Sequence, residues 1–276
     1  MLDFYSKKNI ISYFKKQKSN IKKSLGQNFL IEKSICEKIV ELIKTENNIL
    51  EIGAGLGNLT KQILRKKIKK LVIVEKDNNF LEVLEKLKQT SKQKLSIIIE
   101  DAIKLSKENI NKYDYIVGNL PYNVSTKLIL DLIENNFCGT LVFTLQSEVA
   151  KRIVSQHSCK NYGYLSVVCQ SFFECQNCFY ISSENFFPKP KVASCVVLMK
   201  YKSYVKNIKI YTSLKKILHL AFSQRRKNIA NSLKSLLPNI KILLDKVEIP
   251  YHYRAENISV KKYILIAETL TNEVKK

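Results

Sequence analysis

The sequence predicts an α/β fold: an open parallel sheet with helices on both faces, followed by a small C-terminal all-helical domain. Three observations predict it. Five short apolar runs alternate with helical spacings between residues 48 and 146. Each run is nearly continuous in apolar residues, as strands covered on both faces are. After about Lys202 strand signals stop and only helical spacing continues.

The elements follow in order. Ile35, Ile39, Leu42 and Ile43 share one helical face, with Ser34 placed as its cap. NILEIGAG reads as a strand running into glycines, and a helix follows from about Leu59 to Arg65. KLVIVEKD is a second strand ending in acids, with a helix around Phe80 to Leu87. LSIIIEDA is a third strand, also ending in acids, and YDYIVGNLPY is a fourth, ending in a polar proline turn. A helix from Ser125 to Glu134 leads into TLVFTLQ, the fifth strand. Beyond residue 203, helical spacings run through Leu214, Ile217, Leu218 and Phe222, then Ile229, Leu233 and Leu236, then Ile258 to Leu270. The expected domains are a basic N-terminal arm (1–23), an α/β domain (24–203) and a helical domain (204–276).

Composition bounds the function. The 276 residues carry 47 Lys and Arg against 24 Asp and Glu, a formal net charge of +23. Such an excess calls for a polyanionic partner. From Asn185 to Leu244 there are 13 Lys or Arg and no acid, which marks a binding face for a polyanion: nucleic acid, anionic lipid or an acidic protein. Residues 1–23 hold seven Lys and one acid, Asp3, and read as a flexible or solvated arm. No run approaches the ~18 consecutive apolar residues of a membrane span. Seven irregularly spaced cysteines read as reduced, cytosolic thiols. Cys175 and Cys178 form a lone C-x-x-C with no second ligand pair, so no metal is expected.

In an open parallel sheet, ligands bind beyond the carboxyl ends of the strands. Gly53, Glu75, Asp101 and Asn119 all fall there. Gly53, Gly55 and Gly57 form a turn that lets backbone approach a ligand closely, with G-x-G-x-G spacing instead of the dinucleotide G-x-G-x-x-G. Glu75, 22 residues after Gly53, is placed to accept both ribose hydroxyls of an adenosine ligand, and Asp101 to meet its adenine amino group.

These residues resemble the class I S-adenosylmethionine-dependent methyltransferases, with their Rossmann-like sheet. GQNFL, EIGAGLGNLT, EDA, NLPYNVST, FFPKPKVASCVV, AFSQRRKNIANSL and RAENISV together resemble the ribosomal RNA adenine dimethyltransferase family, and its small-subunit (16S) branch in particular. The resemblance spans Gly26 to about Tyr263. It implies that S-adenosyl-L-methionine is held by Asn28, Leu30, Gly53, Gly55, Glu75, Asp101 and Asn119. It implies that Asn119, Leu120, Pro121 and Tyr122 form the catalytic turn. Acceptors on the Asn119 side chain and the Leu120 carbonyl draw the target amine out of conjugation, Pro121 fixes the turn, and Tyr122 stacks on the base. Phe186 is expected to sandwich that base and Phe187 to pack in the core.

The implied reaction is dimethylation of two adjacent adenosines near the 3′ end of 16S rRNA, within immature small ribosomal subunits, by a cytoplasmic monomer. Arg225, Arg226 and Lys227 are expected on phosphates; Arg254 and Glu256 are expected to form a salt bridge or cap. The competing readings are a 23S rRNA dimethyltransferase, a non-catalytic ribosome-assembly factor and a nicotinamide oxidoreductase.

Overall fold

A computed structural model describes residues 3–92, 94–105, 110–121, 124–237 and 239–273. The chain divides into two units, Met1–Ala150 with Gln176–Lys200, and Lys151–Cys175 with Tyr201–Lys276.

The first unit is built on a seven-stranded sheet. Its strands are β2 (Asn48–Ile52), β3 (Lys70–Glu75), β4 (Leu95–Ile99), β5 (Tyr115–Asn119), β6 (Thr140–Gln146), β7 (Phe173–Ile181) and β9 (Ser194–Tyr201). Their order is β4-β3-β2-β5-β6-β9-β7. β2 to β6 pair in parallel, and β9 runs antiparallel to β6. All five expected strands form. β7 and β9 were not expected: β7 reads FECQNCFYI, with Glu, Gln, Asn and Cys where a strand signal needs branched apolar residues.

Helices α2 (Lys33–Glu41), α3 (Asn58–Arg65), α4 (Leu81–Gln89) and α5 (Ser125–Glu134) accompany the parallel strands. The cap of α2 is Glu32, whose carboxylate accepts the Ser34 N–H at 3.3 Å; Ser34, expected as the cap, donates its hydroxyl to Glu32 at 3.0 Å. A two-residue strand β1 (Phe29–Leu30) pairs antiparallel with β8 (Phe186–Phe187).

The N-terminal arm differs from expectation. Lys7–Lys16 form helix α1, and Phe4, Ile10, Tyr13 and Phe14 are buried in the core. Phe14 meets Phe29 and Phe80 with ring centroids 6.0 and 6.2 Å apart, and Tyr13 lies edge-on to Phe4 at 5.4 Å. Burying each such side chain contributes about 1.5–3 kcal/mol, enough to order a helix whose other face is lysine.

The second unit is helical. It contains α7 (Tyr164–Phe172), α8 (Ile208–Ser223), α9 (Ile229–Ser232), α10 (Ile240–Lys246) and α11 (Val260–Glu273); α6 (Ser147–Val154) spans the junction. α7 packs on α8 and α11, which is why residues 151–175 group with the C-terminal helices although the expected boundary lay near 203. Among the described residues, no helix is long and apolar enough to cross a membrane.

Candidate active site

Parallel register places Ile52 beside Val74, so the turn after β2 and the end of β3 emerge together. Gly53 has φ 72° and Gly55 φ 54°, conformations that L side chains rarely adopt. A Cβ on Gly53 meets nothing within 4 Å: the backbone there faces open cavity. The Gly55 N–H donates to Glu75 Oε2 at 2.9 Å, and the Asp77 N–H donates to Glu75 Oε1 at 2.8 Å. Glu75 is 7% exposed, and burial raises its pKa while the N–H donors oppose that rise. Each oxygen is thereby fixed and keeps a lone pair for a ligand hydroxyl.

Asp77 ties this clamp to the segment before β1. Its carboxylate accepts from Lys22 Nζ at 2.7 Å and Gln27 Nε2 at 2.6 Å. Burial pushes its pKa up, but these donors prevail and hold it below the usual carboxylate value. Asp101 follows β4, accepts the Ile103 N–H at 3.1 Å and pairs with Lys76 Nζ at 2.8 Å, which holds its pKa low.

Asn119 ends β5. Its Nδ2 donates to the backbone carbonyl of Asn28 at 2.7 Å. A carbonyl can only accept, so this bond fixes which way the amide lies, and Oδ1 is turned to the other side as an acceptor. The Pro121 carbonyl is committed to the N–H groups of Val124 and Ser125, both at 3.2 Å. Among the described residues of this turn, the Asn119 side-chain oxygen and the Leu120 carbonyl remain as acceptors. Asn28 itself donates through Nδ2 to the Gly26 carbonyl at 3.0 Å, shaping the GQNF turn.

One cavity gathers nearly all the expected residues: Asn28, Leu30, Gly53, Gly55, Glu75, Asp101, Asn119, Leu120 and Pro121 line it. Tyr122 lies outside the described residues. Phe186, expected to sandwich the base, pairs with Leu30, is 1% exposed and is not among the residues lining the cavity; Phe187, expected in the core, is the half-buried one.

Three residues that sequence reasoning passed over belong to this site. Glu51 is buried in β2, accepts from Thr60 Oγ1 at 2.7 Å, and burial pushes its pKa up to about 8. Asn58 donates through Nδ2 to the carbonyls of Phe4 (3.0 Å) and Leu30 (2.8 Å), clamping the N-terminal segment and β1 together. Asp77 is the third. The acids of VEKD signalled it, but its partners lie 50 and 55 residues away.

In the helical unit the basic trio divides. Arg225 donates to Glu256 at 2.7 Å and to the Lys160 carbonyl at 2.8 Å, so it ties these segments together while its side chain stays 42% exposed. Arg226 and Lys227 are exposed. The ion pair expected of Glu256 therefore exists, with Arg225 in place of Arg254 as its partner.

Comparison with known proteins agrees with this geometry. A family model described as "Ribosomal RNA adenine dimethylase" matches residues 18–272. "Ribosomal RNA small subunit methyltransferase A" of Pelagibacter ubique is 38% identical over 253 residues, covering 90% of this chain and 95% of that protein. The protein of the same name from Borreliella afzelii is 37% identical over 273 residues, covering 98% and 96%. Among solved structures, a dimethyladenosine transferase from Plasmodium falciparum aligns with TM-score 0.74 at 24% identity, covering 87% of this chain and 96% of that one. The 23S rRNA methyltransferase ErmE aligns with TM-score 0.68 at 19% identity over 88% and 99%, a likeness of fold. A match over nearly the whole length, on a site whose expected residues meet in one cavity, places the chain in the ribosomal RNA adenine dimethylase family.

Proposed function

We propose that this chain transfers methyl groups from S-adenosyl-L-methionine to the 6-amino groups of two adjacent adenosines near the 3′ end of 16S rRNA. We further propose that it does so as a cytoplasmic monomer acting on immature small ribosomal subunits. The observation that carries this reading is the Asn119 amide, pinned by Asn28 so that an acceptor is presented at the strand end.

The cavity suits an adenosyl amino acid. Gly53 leaves the space a side chain would fill, and Glu75 holds two oriented oxygens beside it for a ribose diol. Asp101, 27% exposed at its side chain, is the acceptor assigned to the adenine amine. When bound, S-adenosylmethionine supplies a methyl group already activated by its sulfonium. The chain's own work is then positioning. An adenine amine is poorly nucleophilic because its lone pair is delocalised into the ring. Asn119 Oδ1 and the Leu120 carbonyl accept its hydrogens and turn that lone pair out of the ring plane. The base reaches them only after leaving its stack, and Tyr122 is assigned to receive its face. No strong general base is needed, since the proton is acidic once the new N–C bond forms.

A tritiated-methyl transfer assay tests this. The substrates are small subunits lacking the adenine methyl marks, with large subunits in parallel, and the product nucleosides are resolved. Dimethyladenosine from small subunits alone is the expected result. Label in large subunits alone assigns the chain to 23S rRNA. No label on either, with binding retained, makes it an assembly factor.

A further inference from the structure

Four consecutive exposed residues, Tyr251, His252, Tyr253 and Arg254, form a loop in the helical unit. The loop lies beside Arg226 and Lys227. An antiparallel bridge joins Asn228 to Arg254, and the Ile229 N–H donates to the Tyr253 carbonyl at 2.6 Å. Arg225, held by Glu256 and the Lys160 carbonyl, anchors the base of the same segment. Tyr251 and Tyr253 are 36% and 37% exposed, large rings left at the surface. The Lys241 ammonium lies 5.5 Å from the Tyr251 ring centroid, and His252 stands edge-on to Tyr253 at 5.3 Å. The Tyr251 hydroxyl donates to Asp245, which holds the ring in place. Among the described residues, the side chains of Arg226, Lys227 and Arg254 have no ion-pair partner.

We infer that this loop and the Arg226–Lys227 segment form a stacking platform for unpaired RNA nucleotides, with Tyr251 and Tyr253 taking base faces and Arg226, Lys227 and Arg254 taking phosphates. The inference rests on the rRNA reading above and adds a surface to it. Exposed rings interleaved with uncommitted cations are the composition single-stranded nucleic acid selects: aromatic faces stack on bases of any sequence while the cations follow the backbone. A duplex offers its phosphates but not its base faces, because these are covered by neighbouring pairs. The rings therefore specify unpaired RNA, and the cations alone do not. Lys241, seated on Tyr251, adds positive charge where a phosphate passes the stacked base.

The test uses the full chain, an unpaired RNA oligonucleotide containing 2-aminopurine, and a hairpin duplex of equal length. The wild-type chain is expected to quench the 2-aminopurine on binding. Tyr251→Leu with Tyr253→Leu is expected to lose the quench and weaken oligonucleotide binding by roughly 30-fold or more, with the salt slope and duplex affinity unchanged. Arg226→Gln with Lys227→Gln is expected to keep the quench at saturation and to flatten the log–log salt slope by about 1.4, from two contacts at ~0.7 each. Unchanged affinity and quench in the double leucine variant overturn the inference. Should that variant melt early, the unmodified chain decides the matter by 4-thiouridine crosslinking. Crosslinks in residues 251–253 support the platform; crosslinks confined to other segments refute it. Methyl transfer separates this result from the enzymatic reading. Label without quench removes only the platform, and quench without label removes only the enzyme.

Discussion

Glu75→Gln is the most informative single change, because an isosteric swap acts on two functions at once. Both carboxylate oxygens accept backbone N–H groups, from Gly55 at 2.9 Å and Asp77 at 2.8 Å. A Gln side chain brings one acceptor and one NH2. Whichever way it lies, the NH2 faces a backbone N–H, and a buried donor loses its partner. That costs about 1–3 kcal/mol of stability, or several degrees of melting temperature at ~2–4 °C per kcal/mol for a chain near this size. The charge is lost as well. Hydrogen bonds from a ribose diol to a carboxylate are worth ~1.5–3 kcal/mol, more than those to a neutral amide. With tenfold per 1.4 kcal/mol, cofactor affinity should fall by ~10- to 100-fold. Calorimetric titration with S-adenosylhomocysteine, paired with thermal melting, measures both. A lowered melting temperature at unchanged affinity would reduce Glu75 to a fastener of the turn. Wild-type values in both would refute the reasoning entirely.

Asn119→Ala should lower methyl transfer by at least ~10²–10³-fold while RNA binding persists; lost RNA binding contradicts its assigned role. Glu51 concerns stability against pH. Its carboxyl titrates near 4.5 when unfolded and at about 8 when folded, so the folded chain holds the proton more tightly. The stabilisation is complete below pH 4.5 and declines as pH rises to about 8, a change on the order of a few kcal/mol. Denaturant melts across that range should show this decline, and Glu51→Gln, which still accepts from Thr60, should remove it; equal slopes in both chains would contradict the burial argument. Phe14→Ala should cost about 3–5 kcal/mol in chemical denaturation, whereas a value below ~0.5 kcal/mol would return the N-terminal segment to a solvated arm.

The five parallel strands were legible because they are continuous apolar runs, and the ends of those runs gave Gly53, Glu75, Asp101 and Asn119; the antiparallel β9 and the polar β7 were not. What escaped was long-range pairing. Seven lysines masked the spacing of Phe4, Ile10, Tyr13 and Phe14, and nothing local says those rings meet Phe29 and Phe80. Arg225 was grouped with Arg226 and Lys227 by adjacency, yet its partner Glu256 is 31 residues away. Phe186 and Phe187 are neighbours in sequence, and strand alternation decides which is buried. Register with β1, not residue type, sends Phe186 inward.

With Asn119 in the role proposed for it, its bond to Asn28 also sets a limit on how far the reaction runs. An amide held by its nitrogen grips a substrate only through hydrogens the substrate brings. The adenine amine brings two, the monomethyl amine one, and the dimethyl amine none. Each turnover thus removes one of the handles by which the next is held. After the second, the acceptors face a group with nothing to donate, and desolvated acceptors without donors favour release. The enzyme needs no separate device to count to two.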